Sequence, residues 1–535
     1  MFSKLFNNQS KTITAAAIII GAASLLSRLL GLLRDRVLAG EFGAGAELDM
    51  YYAAFRIPDM IFNLLVLGAL SAGFIPIFTI YLKNKNKAWE LANITLNAIL
   101  LGLIIISALM VFLAPWILKI ITPGFDQEKL IITTKLTRIM FLSPIFLGAS
   151  GIFAGILQSF KRFFIYSIAP IMYNIGIIIG ALFFAPIIGI YGLAWGVVFG
   201  AFIHMIIQFF AIIPLGYRYR PILDLNNKGF KKILVMMVPR TLGLITSQIN
   251  FLIVTIIGST LATGSITIFN LANNIQSFPL GIFGVSFAVA VFPTLSELTK
   301  KKKEFIKVFS LTIRQVLFFI VPASALLIIL RAQIVRVILG SGRFGWKDTF
   351  LTFETLFFFS LSLFAQALIL VLIRAFYAQE DSKTPFYTGL ISAFANIILS
   401  IILVEPLGVA GLALSFSLAN ILNFTLLGLL LHYKLGNFDG EKIIFSSIKI
   451  VIATFLLSIT SQAIKYPIER VMGLETFIGV ALQAAVATLG GAIVYIASCW
   501  LMKSEELNIF INSLKRKFLK NPKIRNEIIE KEKLT

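Results

Sequence analysis

A single cysteine, Cys499, in 535 residues leaves no partner for a disulfide and too few thiolates for a cysteine-based metal site. Histidine is almost as scarce: His204 and His432 are the only two, both inside apolar stretches, which argues against a zinc centre or a histidine-dependent triad. Charge is thin as well, at 13% of residues, where a soluble domain carries about 25%. No Walker motif or glycine-rich phosphate loop is present, so ATP hydrolysis by this chain is not expected, and no cofactor or metal is called for. The strand alternation of an outer-membrane barrel is missing too.

What the chain has instead is apolar length. It is 58% hydrophobic with a mean hydropathy of +0.92, more apolar surface than a water-soluble fold can hide. Apolar runs long enough to cross a bilayer as helices recur from Thr12 to Met502. The expectation is an all-α integral membrane protein of about fourteen spans, near 12–33, 50–80, 91–120, 130–157, 163–184, 188–213, 230–258, 264–298, 309–331, 350–378, 384–403, 408–432, 444–464 and 478–502. The first run follows Lys4 and Lys11 but lacks a small-residue cleavage site and continues into Arg28 and Arg34, so it reads as a retained helix rather than a signal peptide.

The formal charge of +22 comes from 47 basic residues against 25 acidic ones. Basic residues gather in alternate joints: Lys83, Lys85 and Lys87; Lys161 and Arg162; Arg218 to Lys232; Lys300 to Lys303; Lys383; Lys434 and Lys442. That is positive-inside topology rather than a nucleic-acid surface; it places both termini in the cytoplasm of a bacterial-type inner membrane and predicts no nucleic-acid partner. One outer joint departs from it, with Arg331, Arg336, Arg343 and Lys347; it either dips into the interface or meets an anionic group. The tail from Lys503 carries Lys515-Arg516-Lys517, Lys520, Lys523 and Arg525, a composition that holds to anionic headgroups.

The chain also repeats itself. Ser27-Arg28-Leu29-Leu30-Gly31-Leu32 returns as Pro239-Arg240-Thr241-Leu242-Gly243-Leu244, and Gly189-Ile190-Tyr191-Gly192-Leu193-Ala194 as Gly408-Val409-Ala410-Gly411-Leu412-Ala413. Gln158 is matched with Gln379 and Asn174 with Asn396, at similar separations. The division expected is a lobe over 1–220 (spans 1–6), a second over 221–435 (spans 7–12), two further spans over 436–502 and a basic tail over 503–535. Lobes with an even number of spans insert the same way up and can rock about a central cavity to give alternating access. Ordinary small-residue helix packing is the competing account of the Gly-x-x-Gly-Leu-Ala motif.

A charge inside the membrane costs at least a few kcal/mol, so one that persists faces a cavity or a partner. Arg28 lies within span one, and Arg34 with Asp35 at its outer end. Arg34 either pairs with Asp35, Glu47 or Asp49 or meets a ligand; the deeper Arg28 points to a ligand. Asp49, Arg56 and Asp59 can share one stripe of span two, as an ion-pair ladder bent at Pro58. Arg240 opens span seven as either a cavity residue or a cytoplasmic anchor. Asn270, Asn273, Asn274 and Gln276 on span eight suit sugar or amide groups, or serve as helix glue.

Several motifs resemble the MurJ (MviN) family. They are Ser27 to Asp35, Phe42-Gly43-Ala44-Gly45, Asp49, Phe55-Arg56-Ile57-Pro58, Gly68-Ala69-Leu70-Ser71-Ala72-Gly73-Phe74-Ile75-Pro76, Ala114-Pro115-Trp116, Thr122-Pro123-Gly124-Phe125, Ser277-Phe278-Pro279-Leu280-Gly281 and Asp381-Ser382-Lys383-Thr384-Pro385. The resemblance runs in order over most of the chain. It implies membership of the multidrug/oligosaccharidyl-lipid/polysaccharide (MOP) exporter superfamily and a fourteen-helix, two-lobe fold whose last two helices form a groove for a polyprenyl tail. It implies a cationic cavity for the diphosphate of lipid II, with Arg28 and Arg34 at family cavity positions and Asp49 at a commonly important acidic one. Arginine forks suit that diphosphate. Where the family has an Arg-Arg pair and then a Glu on span two, this chain has Phe62, Asn63 and Leu67; a family Arg on span eight is Asn274, and a nearby acid is Ser277. The cavity should be less positive than is usual in the family, and the acidic sodium site of some relatives is apolar here, near Val254.

The expected activity is therefore transport, not catalysis: flipping of lipid II from the inner to the outer leaflet by alternating access, with Arg28, Arg34, Asp49, Arg56, Asn63, Arg240, Asn270 and Asn274 as candidate substrate-binding residues. The alternatives are a flippase for another undecaprenyl-diphosphate saccharide and a drug antiporter of the same superfamily. An integral-membrane enzyme would need a carboxylate or metal centre on a sizeable loop, and the loops are too short. Partners expected are lipid II or a related polyprenyl-diphosphate lipid, the membrane, and cell-wall synthesis proteins.

Overall fold

The computed structural model describes residues 13–67, 73–472 and 476–518, and every regular element among them is helical. In chain order these are α1 (Ile13–Phe42), α2 (Ala46–Phe62), α3 (Ile75–Tyr81), α4 (Lys85–Ile121), α5 (Gln127–Met140), α6 (Leu142–Ser159), α7 (Phe163–Ile179), α8 (Tyr191–Ile212), α9 (Lys228–Ser259) and α10 (Ser265–Pro279). They continue as α11 (Ser286–Glu297), α12 (Lys302–Ile329), α13 (Arg331–Leu339), α14 (Trp346–Ser360), α15 (Leu363–Ala378), α16 (Lys383–Leu407), α17 (Val409–Leu435), α18 (Gly440–Met472), α19 (Phe477–Leu501) and α20 (Glu505–Phe518).

Ten helices among the described residues are long and apolar enough to cross a membrane, and α14 with α15, bent by 45°, makes eleven if counted as one span. Fourteen is not reached by this measure. α2 stops after 17 residues at a π-helical turn over Asn63–Leu67 and contains Pro58, which removes a backbone donor and bends the helix. Parts of α1 and α9 lie outside the described side chains.

α1 runs further than its hydropathy indicates. It ends where Gly43, at φ +67, donates its amide to the Ala39 carbonyl, a left-handed stop that glycine adopts without strain. Arg34 and Asp35 consequently sit inside the helix, not at its outer end.

Contacts divide the chain into two compact units, one of residues 1–275, 338–355 and 393–416, the other of 276–337, 356–392 and 417–535. In the first, α7 packs on α1 and α8, and α2 on α5. Its larger core gathers Phe74, Phe78, Leu91, Phe141, Phe153 and Phe230, all nearly or fully buried. In the second, α18 packs on α12 and α19, and α15 on α11 and α12. An apolar cavity of about 430 Å³ lies within that unit, bounded by Leu317 of α12, Phe364 and Leu372 of α15, Phe424 of α17, and Ile450 and Val451 of α18. Of the two last apolar helices expected to form a groove, only α18 lines it.

The repeat reappears as local geometry. Gly189 (φ +62) and Gly408 (φ +56) close identical turns, their amides donating to Ala185 and Val404, and Gly192 and Gly411 then donate to Gly189 and Gly408. Earlier, Lys161 and Glu380 share a left-handed φ near 58–59° and donate to Gln158 and Tyr377, while Arg162 and Asp381 reach back to Leu157 and Phe376. All these pairs are 219 apart. In that register Tyr377, not Gln379, is the counterpart of Gln158, and Asn396 lies about one helical turn beyond the counterpart of Asn174.

Candidate functional site

The first unit holds the polar groups singled out within the spans. On α1, Arg34 donates from Nη2 and Nε to one Asp35 oxygen, at 2.7 and 3.0 Å, and from Nη1 to Asn174 Oδ1 of α7 at 3.1 Å. Asn174 is anchored in turn, donating to the Pro170 carbonyl at 3.1 Å. The other Asp35 oxygen accepts from Asn274 Nδ2 of α10 at 2.8 Å. Asp35, 1% exposed, is therefore shared between a guanidinium and a carboxamide, the kind of complete pairing that a buried carboxylate requires.

Asp49, near the start of α2, makes no ion pair among the described residues. Its two oxygens accept the Gly264 amide at 2.6 Å, the Thr267 amide at 2.8 Å and the Thr267 hydroxyl at 2.7 Å. A carboxylate from a distant segment thus caps the N-terminus of α10, where orphan donors and the helix dipole favour negative charge. The cap is close because Gly264, at φ +96, has no Cβ, and a Cβ there would lie 2.2 Å from the Ala44 carbonyl oxygen.

Arg56 is 9% exposed and held by neutral groups. Nε donates to the Thr255 hydroxyl and Nη2 to Asn270 Oδ1, both at 3.1 Å, and the guanidinium lies 5.1 Å from the Phe251 ring centroid. No ion pair to Arg56 forms among the described residues. Asp59 instead accepts from Asn63 Nδ2 at 2.8 Å, four residues along the same helical path. The ion-pair ladder expected along α2 is therefore not formed: Asp49 caps a helix, Arg56 binds a hydroxyl and a carboxamide, and Asp59 binds a carboxamide. Shared spacing puts side chains on one stripe, but better partners on α9 and α10 lie across from it.

Six of the eight sequence candidates fall into these constellations. Arg34 and Asn274 meet through Asp35, Arg56 meets Asn270, Asp49 caps α10, and Asn63 serves Asp59. Arg28 is partly exposed on α1, and it does have an interaction partner. The side chain of Arg240 lies outside the described residues. The carboxamides of α10 act as helix glue here, as does Gln276, which accepts from Gln366 within the second unit at 3.1 Å. Sequence reasoning missed Thr255, Gly264 and Thr267, and noted Asn174 only as part of the repeat. Their partners are roughly 140 to 220 residues away, and no local signal marks them.

By count the inventory is balanced, with Arg28, Arg34 and Arg56 against Asp35, Asp49 and Asp59, of which only Arg34 and Asp35 form an ion pair among the described residues. The arrangement can present the Arg56 guanidinium to an anion once its bonds to Thr255 and Asn270 are exchanged, and α10, which supplies Asn270, is bonded at Asp35, Asp49 and Arg56.

A family model described as lipid II flippase MurJ matches residues 38–491. A relative named probable lipid II flippase MurJ from Buchnera aphidicola subsp. Acyrthosiphon pisum is 30% identical over 502 residues, covering 92% of this chain and 98% of the relative. One of the same name from Vibrio cholerae is 32% identical over 440 residues, covering 79% and 84%. A solved structure of lipid II flippase MurJ in an inward closed conformation superposes with a TM-score of 0.76 at 26% identity, over 91% of this chain and 98% of that one. An inward-facing multidrug resistance MATE family transporter of the MOP superfamily, at 13% identity and a TM-score of 0.67 over 77% and 95%, shares the fold.

Proposed function

The chain belongs to the lipid II flippase MurJ family, and on that premise we propose that it moves lipid II from the inner to the outer leaflet of a bacterial cytoplasmic membrane. The observation that carries the reading at the level of residues is Arg56, a buried guanidinium held by a hydroxyl, a carboxamide and an aromatic ring rather than by a carboxylate. Asp59, three residues along, acts on the Arg56 charge through space but does not bond it, so the planar fork of Arg56 is available to match a phosphate. Arg34 offers a second guanidinium, but its Nε and Nη2 are bonded to Asp35, so a ligand there must displace that carboxylate as well as Asn174.

In this reading the two lobes are 1–220 and 221–435, followed by helices over 436–502 and a basic tail over 503–535, with both termini cytoplasmic. The bonds from Asp49 to the start of α10 and from Asp35 to Asn274 are the latch that must break and re-form in each cycle. Each is a hydrogen-bonded charge, worth about 1.5–3 kcal/mol, strong enough to define a state and weak enough to open on the timescale of transport. The apolar cavity beside α18 suits part of an isoprenoid chain. Val254 is apolar and 2% exposed, which favours membrane potential acting on cavity charge over a sodium ion bound there. Contact with cell-wall synthesis proteins would place the flippase beside the consumers of its product.

The test is flipping of lipid II by the purified protein in liposomes, compared with an undecaprenyl-diphosphate oligosaccharide and with Arg28→Ala and Arg56→Gln. Lipid II movement that is lost in both folded variants supports the reading. Folded wild-type protein that moves only the other lipid would mean that the balanced charge marks a changed headgroup.

A further inference from the structure

The last described helix, α20, is fixed at one end in a way that transport does not explain. It follows α19 after a tight turn in which Lys503 takes φ +51 and the Ser504 amide returns to the Cys499 carbonyl. Glu506, 3% exposed, accepts from Arg314 of α12 at 2.8 Å, from the Ser446 hydroxyl of α18 at 2.8 Å and from the Ser504 hydroxyl at 2.7 Å. Arg314, 7% exposed, also donates to Glu505 at 2.6 Å. An ion pair this buried is costly to assemble and costly to break, so it sets direction more than it adds stability. It fixes where α20 leaves the bundle.

Beyond the pin the helix has an apolar stripe that outruns its packing. Leu507 is 2% exposed, but Phe510 is already 38% exposed while it touches the Phe319 ring edge-on at 5.3 Å. In helical register Ile511, half-buried, continues the same stripe. The sequence then turns basic, with Lys515-Arg516-Lys517 followed by Lys520, Lys523 and Arg525, and Lys515 is exposed. A helix that starts at the end of a span, keeps an apolar stripe and ends in a basic run has the composition of an element lying in the headgroup region.

We infer that α20 lies along the membrane surface and binds anionic phospholipid headgroups through Lys515, Arg516 and Lys517, with the Glu506–Arg314 pair setting its angle of departure. The occupant follows from complementarity of charge: an uncharged headgroup would answer the apolar stripe but not the basic run. The inference does not depend on which lipid-linked cargo the protein moves.

The experiment uses full-length protein in nanodiscs, labelled through Ser513→Cys with an environment-sensitive dye; Cys499 is buried, and unsubstituted protein controls for its labelling. Discs of phosphatidylcholine alone are compared with discs containing phosphatidylglycerol. The expected result is a blue-shifted, quencher-protected dye in anionic discs only, reversed by salt, with the dependence on anionic lipid reduced about tenfold in the Lys515→Ser, Arg516→Ser, Lys517→Ser variant. Glu506→Gln should weaken the protection with the basic run intact, which separates the pin from the charges. Equal spectra in both lipids, or an unchanged triple variant, would overturn the inference. A shift produced in neutral discs by soluble polyglutamate, with none from phosphatidylglycerol, would also overturn it and reassign the surface to an acidic protein partner.

Discussion

The two compact units treat charge in opposite ways. In the second, charges meet opposite charges or rings: Arg314 with Glu506, Lys434 with Asp381 at 3.0 Å, and Arg374 over the Phe292 ring at 5.2 Å. In the first, Arg34 and Asp35 pair with each other, but the remaining charges within the helices are held by neutral groups: Asp49 by backbone amides and a hydroxyl, Arg56 by Thr255 and Asn270, Asp59 by Asn63. A paired charge is already neutralised and serves to fix structure. A charge held by hydroxyls and carboxamides is solvated but not neutralised, so a ligand of opposite sign can replace its partners at modest cost.

If that contrast governs function, the largest effect belongs to Arg56. Arg56→Gln removes the charge while keeping a donor for Thr255 and Asn270. It should lower the lipid II flipping rate by at least about tenfold, the value of 1.4 kcal/mol in a barrier, with little change in thermal unfolding. A fall in unfolding temperature that accounts for the lost transport would move Arg56 into the structural class and erase the contrast.

Next in size is the attempt to sharpen it. Asn274→Arg places a second guanidinium opposite Asp35 and turns the balanced inventory cationic, as the family pattern has it. Apparent affinity for lipid II should rise by several-fold, on the order of 1 kcal/mol. An unchanged affinity, measured by concentration dependence of transport, would mean that the headgroup does not sense charge at this position.

In the second unit the expected effect is on folding and on the seating of α20, not on flipping. Glu506→Gln leaves Arg314 with only the exposed Glu505 and should cost about 1–3 kcal/mol, read as a lower unfolding temperature, with flipping by the folded fraction unchanged. Burial works against the charge on Glu506, but the Ser504 hydroxyl, its own amide, Ser446 and Arg314 outweigh it and hold the carboxyl below the usual 4.5. The pair should therefore survive mild acid. Flipping lost in step with Glu506 would show that this unit too uses charge in transport.

The helices and the polar groups within them are legible in the sequence, but the contrast in how those charges are held is not, since an ion-pair ladder is what the sequence suggests for α2. Hydropathy located nearly every helix, and the deep arginines and asparagines were visible as polar interruptions of apolar runs. The repeat was visible as well, but its register was not: Gln158 and Gln379 look equivalent as letters, whereas the turn geometry pairs Gln158 with Tyr377. Partners were the least legible part. Spacing along α2 grouped Asp49, Arg56 and Asp59 on one stripe, and periodicity says nothing of what faces that stripe. Thr267, Thr255 and Asn174 are common residues in unremarkable contexts, and only long-range packing brings them to a charge. Arg34 was open between Asp35 and a ligand, and its bond to Asp35 became plain once α1 was seen to run on to Phe42.

The smallest effect is expected at Asp381, where the family-like Asp-Ser-Lys-Thr-Pro motif lies in the joint before α16. Burial opposes its charge more than any single partner favours it, but the Thr384 amide, Lys434 and the Thr384 hydroxyl, at 2.9–3.0 Å, together overcome that and hold the carboxyl below its ordinary 3.8. A depressed carboxylate contributes stability that is fully present above the unfolded value and lost as the pH falls through the lower folded value. The penalty of Asp381→Asn should thus be constant from neutral pH down to about 4 and shrink only below it, by an amount limited because the site is largely solvated. Unfolding temperatures of wild type and variant followed from pH 7 downward should converge only in that acid range. Convergence near neutrality would mean that the joint depends on something other than this carboxylate, and a loss of flipping at full stability would give the motif a part in transport that its exposed, paired geometry does not suggest.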